Sequence, residues 1–167
     1  MKEIKVKALT RDKFNKYGSY AMLNAPENEP ATGPKDANIV FFRDMMTQDL
    51  NGAAPAFSTC HIRKRDFVIT DAEYHDNTSE VALPLNQDAI IWCAPATAGK
   101  EFPVDEVEAF FVPQGCAVML RPGVWHHAAF ATTDEALNVL IVLPERTYNN
   151  DCYCIALPEE QQIAIKF

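Results

Sequence analysis

Two short segments carry residue types that can hold a metal ion. The first is Glu73-Tyr74-His75, with Glu80 following shortly after. The second is Pro122-Gly123-Val124-Trp125-His126-His127. Side chains two apart on an extended strand share a face, so Glu73 and His75 can chelate one ion. A third ligand from Glu80 and a fourth from His126 or His127 would complete a mixed nitrogen and oxygen shell. Such a shell suits a divalent transition metal: Ni, Zn, Mn or Fe. The chain has four histidines, and three of them fall in these two segments. On a continuous strand the neighbours His126 and His127 face opposite sides, so only one is expected to point inward.

Other side chains have two readings. Arg63, Lys64 and Arg65 form a basic run in an acidic chain. On a strand, Arg63 and Arg65 face one way and Lys64 the other. Turned inward, the arginines can clamp a substrate carboxylate bidentately; turned outward, they are a solvated edge. The five cysteines show no Cys-x-x-Cys spacing and read as free thiols of a reducing compartment. Cys152 and Cys154 share a strand face, which makes them a further candidate for metal or redox chemistry. His61, Trp92 and Trp125 read as core residues. Tyr74, between two candidate ligands, must point away from the metal.

These residues need a scaffold, and the rest of the chain predicts one made of strands. Period-two alternation or short apolar runs mark strands over 4–9, 20–23, 38–43, 56–64, 67–70, 72–75 and 80–83. More follow over 89–94, 107–112, 116–120, 125–131, 137–143 and 154–157. Turn residues separate them, as in Pro113-Gln114-Gly115 and Arg121-Pro122-Gly123. Only short helical turns are expected, over 11–16, 45–50 and 159–163. Residues 24–36, with three prolines and a glycine, read as a loop. The pattern predicts an all-β sandwich or barrel, with jelly-roll spacing around a central cavity. One domain over 1–167 is the simplest division.

Composition narrows the function classes. A hydrophobic share of 48% excludes intrinsic disorder. A net charge of −8 argues against a nucleic-acid surface, which needs clustered positive charge. No secretory signal is visible at Met1-Lys2-Glu3-Ile4-Lys5, and no apolar run is long enough for a membrane helix. A cytoplasmic location without membrane contact is the expectation.

The two metal-type segments resemble the paired motifs of the cupins. Gly115, the apolar run 116–120, Pro122-Gly123, Val124-Trp125 and His126 match the second motif. Glu73-x-His75-x4-Glu80 matches the first, with Glu73 in place of a histidine. More narrowly, the chain resembles the ureidoglycolate lyase family over most of its length. Phe14-x-x-Tyr17-Gly18, Leu83-Pro84-Leu85, Phe111-Val112-Pro113, the Pro122-Gly123-Val124-Trp125-His126-His127 block and Asn150-Asp151-Cys152 occur in the family's order. It departs from that family at Glu80, where Gln is usual, across 24–52, and in the loosely matching strand that bears His61 to Arg65.

The resemblance implies a double-stranded β-helix, or jelly-roll barrel. It implies cleavage of ureidoglycolate to glyoxylate and urea, within allantoin degradation in purine catabolism. Glu73, His75, Glu80 and His126 would hold the metal. Glu80 and His127 would move protons, and Arg63 and Arg65 would bind the substrate carboxylate. It also implies a homodimer. The same cavity admits other readings: a metal-dependent isomerase or dioxygenase acting on a small hydroxy or sugar acid, or a metal-free cupin that binds a small carboxylate.

Overall fold

The computed structural model describes residues 1–26 and 29–167. Its strands are β1 (Lys2–Ala8), β2 (Gly18–Met22), β3 (Pro55–Ile62), β4 (Val68–Ile69), β5 (Asp71–Tyr74), β6 (Glu80–Pro84) and β7 (Ala89–Cys93). They continue with β8 (Glu108–Val112), β9 (Cys116–Leu120), β10 (Phe130–Ala131), β11 (Leu137–Pro144), β12 (Tyr153–Ala156) and β13 (Ile163–Lys166). Two four-residue helices, α1 (Arg11–Phe14) and α2 (Thr147–Asn150), lie among them.

The strands form a six-stranded sheet in the order β10-β7-β8-β1-β13-β4 and a five-stranded sheet in the order β2-β9-β6-β11-β3. A two-stranded ribbon pairs β12 with β5. This is the all-β cupin barrel that the strand pattern and the motifs predict.

The packing follows from strand periodicity. β7 reads Ala-Ile-Ile-Trp-Cys and is buried along its whole length. Alternate side chains of a strand point to opposite faces. Ala89, Ile91 and Cys93 therefore join one apolar cluster, with Phe14, Phe110, Val118 and Val139. Ile90 and Trp92 join a second, with Tyr74, Trp125, Phe130 and Ile163. Trp125 and Trp92 are core residues, 0% and 1% exposed. Tyr74 packs edge-on to Trp125 with ring centroids 4.5 Å apart, on the side of its strand away from His75.

Several local expectations need correction. Residues 38–43 form no strand; only an isolated bridge joins Thr32 to Phe41. Residues 45–50 form no helical turn. That stretch is instead a strap: Gln48 Nε2 donates to the carbonyls of Ser79 and Val142, and the Asp49 amide donates to Ser79 Oγ. Near the end, only Glu159–Gln161 is helical, as a single 3-10 turn. The chain then forms β13, parallel to β1, which the short Ile-Ala-Ile alternation did not disclose. Strand β3 stops at Ile62, so Arg63 and Arg65 fall beyond it.

Candidate metal centre and cavity

The two motif segments meet through the backbone. The Glu73 amide donates to the His126 carbonyl at 2.7 Å, and the His126 amide donates to the Glu73 carbonyl at 2.9 Å. A pair that exchanges both bonds stands directly opposite, with side chains on one face. One turn earlier, the Gly123 amide donates to the His75 carbonyl at 2.7 Å. Gly123 makes this turn with φ +79°, and a Cβ there would lie 2.9 Å from Ala96 Cβ. Glycine alone takes that conformation without strain.

The side chains then converge. Glu80 Oε2 lies 3.2 Å from His75 Nε2 and 3.3 Å from His126 Nε2. All three residues are buried. Each imidazole is oriented from behind: His75 Nδ1 faces the Asp151 carbonyl at 2.7 Å, and His126 Nδ1 faces the Val124 carbonyl at 2.8 Å. A carbonyl can only accept, so both Nδ1 atoms carry the hydrogen. Both Nε2 atoms then face a carboxylate oxygen, which also only accepts. A proton or a shared metal ion must therefore lie in each contact.

Electrostatics reflect the pairing. Burial by itself would raise the Glu80 pKa, but the charge and hydrogen bonds of His126 and His75 outweigh it and hold the carboxyl well below its usual range. Burial would lower His126, but Glu80 outweighs it and pushes the imidazole up.

The donor set fits a divalent transition metal. Ligand atoms each ~2.1 Å from one ion stand ~3.0–3.4 Å apart at tetrahedral to octahedral angles. The two observed N···O separations fall in that range, longer than the ~2.7–2.9 Å of a charge-assisted hydrogen bond. Two imidazoles and one carboxylate, with outer hydrogen bonds that fix the tautomer, form a borderline N/O shell.

Glu80 and His126 line a cavity of about 280 Å³. Glu73, His127, Cys60 and Tyr148 share the lining, with an apolar wall that includes Val118 and Val139. Among the described residues, no Lys or Arg lines it. A larger cavity of about 570 Å³, bordered by Arg11, Tyr20 and Glu29, includes none of the metal-type residues.

Glu73 does not join His75, Glu80 and His126 in the buried group. It stands beside them, where its Oε2 accepts from Cys152 Sγ at 3.4 Å. Its carboxylate, a His127 ring nitrogen and Cys154 Sγ lie within 4.8 Å of one another. His127 therefore does not turn away from the cavity. The expected strand over 125–131 is only two isolated bridges, at Trp125 and His126, followed by irregular backbone and then β10. Strict alternation ends with the bridges, so both histidines reach the lining.

Arg63 and Arg65 are exposed and do not line the cavity. Arg65 donates to the carbonyls of Ala128 and Ala129 at 2.9 Å and 3.1 Å, and stacks 3.7 Å over the Phe130 ring. His61 is exposed, not core, and pairs through Nδ1 with Asn138 Oδ1 at 2.7 Å. Sequence reasoning missed Tyr148, brought to the cavity by α2 just before the Asn150-Asp151-Cys152 segment. It also missed Asp151, whose carboxylate accepts from the amides of Asp76 and Asn77 and from Thr78 Oγ1, and so ties down the turn after His75.

Several solved structures resemble this chain. A dTDP sugar isomerase from Desulfovibrio desulfuricans superposes with a TM-score of 0.51 at 12% identity, over 86% of this chain and 85% of its own. A 3,4-ketoisomerase from Thermoanaerobacterium thermosaccharolyticum gives 0.49 at 13%, over 81% and 85%. A manganese-containing oxalate decarboxylase from Bacillus subtilis gives 0.44 at 15%, over 67% of this chain and 29% of its own. Among described residues, no helix is long and apolar enough to cross a membrane. No curated protein matches the sequence. The family described as ureidoglycolate lyase matches residues 1–164, nearly the whole chain including both motif segments, and the protein belongs to that family.

Proposed function

We propose that this protein cleaves ureidoglycolate to glyoxylate and urea, using a divalent metal held by His75, Glu80 and His126. The observation that carries the reading is the convergence of these three side chains beside a small cavity that, among the described residues, no Lys or Arg lines. An anionic substrate entering that cavity meets the carboxylates of Glu73 and Glu80. When bound, the metal supplies the positive charge that attracts the substrate carboxylate and acidifies the neighbouring hydroxyl.

The reaction is an elimination that consumes no water. The hydroxyl proton leaves, its electron pair forms the aldehyde carbonyl, and the C–N bond breaks. The departing ureido nitrogen gains a proton and becomes urea. Glu73 is assigned the hydroxyl proton: it faces the cavity, and Cys152 Sγ–H holds its Oε2. His127 is assigned the proton delivered to nitrogen. Glu80 serves as a ligand in this scheme, because two imidazoles already engage its Oε2. Each placed proton-transfer group is worth about 10²–10⁴-fold in rate.

The test is a chelator-treated protein reloaded with one metal at a time and given racemic ureidoglycolate. Equal yields of urea and glyoxylate are expected with at least one metal. Absence of both products with every metal would remove the reading.

A further inference from the structure

The ribbon face that carries His75 carries more donors than one metal needs. Glu73 pairs directly with Cys154 across β5 and β12, and with His126 across the neighbouring bridge. Residues two apart share a face, so Cys152 and Cys154 both lie on this side. The result is a second cluster beside the first: the Glu73 carboxylate, the His127 imidazole and the Cys154 thiol, mutually within 4.8 Å, with Cys152 Sγ 3.4 Å from Glu73.

We infer that Glu73, His127 and Cys154 form a second metal site, selective for a thiophilic divalent cation of the zinc class. Its chemistry differs from that of the buried group. His75, Glu80 and His126 offer no sulfur, whereas this cluster offers one thiol, one imidazole and one carboxylate. Such N/S/O sets favour zinc over harder ions. A soft cation displaces the Cys154 proton as it binds.

The site has a consequence that rests on the proposed reaction. Its ligands include both groups assigned to proton transfer, so a metal here stops turnover even when the buried group is loaded. Cys154 is exposed, which makes the site reachable from solvent.

The site itself is tested without any substrate. Cobalt(II) is titrated into metal-free protein and followed by absorption. The expected result is two equivalents bound, with a thiolate-to-cobalt charge-transfer band that Cys154→Ser removes and His126→Ala retains. Cys154→Ser should bind one equivalent and weaken the second site by more than about 10-fold. A wild-type protein that binds one equivalent without the band overturns the site. So does a band that survives in Cys154→Ser. Circular dichroism confirms that the exposed substitution folds. Because the band needs no turnover, the site can fail while the lyase reading stands, and the reverse. If both stand, excess zinc inhibits the wild-type enzyme more strongly than Cys154→Ser.

Discussion

Glu73 and His126 exchange both of their backbone hydrogen bonds, at 2.7 Å and 2.9 Å, across a bridge that joins two distant stretches of chain. That bridge sets the register in which His75, Glu80 and His126 become neighbours. It also turns Glu73 toward the same cavity without making it a member of the buried group.

Glu80 is the shared partner of both imidazoles, so replacing it tests the centre directly. Glu80→Gln keeps the shape and removes the charge. Metal affinity should fall by about 10–100-fold or more. Equilibrium dialysis against a chelator buffer measures it, and unchanged affinity would show that the Glu80 charge contributes nothing to metal binding.

His127→Ala should lower kcat by about 10²–10⁴-fold while leaving one metal equivalent bound at the buried group. A variant that instead loses all metal would reassign His127 from proton transfer to the primary centre. Steady-state kinetics paired with elemental analysis separates these.

Gly123→Ala forces a side chain into positive φ and toward Ala96. The cost is about 1–3 kcal/mol, a drop of several degrees in melting temperature. Thermal unfolding followed by circular dichroism checks this. A melting point equal to wild type would show that the turn relaxes freely.

Arg65 holds two carbonyls and covers Phe130, and it stands outside the cavity lining. Arg65→Ala should cost about 1–3 kcal/mol of stability and change KM little. A large rise in KM without loss of stability would restore the carboxylate clamp expected from sequence.

Glu108 sets an acid limit on stability. Burial raises its pKa, but hydrogen bonds from Lys16, Lys7 and Tyr17 prevail and hold it at about 2. A carboxyl depressed by folding contributes stability that is full above its unfolded pKa. That contribution is lost as pH falls from about 4.5 toward about 2. Denaturant titrations between those values should show wild type losing more stability than Glu108→Gln. Parallel curves would show that the three donors contribute nothing net.

The sequence by itself determined most of the strands and the two metal-type segments, because both are local. Alternation in 137–143 and 116–120 and the Pro122-Gly123 turn act within a few residues. The resemblance reached His75, Glu80 and His126 for the same reason: spacing in a motif is a short-range property. What only the tertiary structure decided depends on contacts between distant residues. Glu73 and Cys152 are 79 positions apart, and nothing near either one announces the other. That only one of His126 and His127 can face inward was misjudged, because strand alternation holds only while a neighbour's hydrogen bonds keep the backbone extended. Those bonds end at His126, so the chain was free to turn a second imidazole into the cavity.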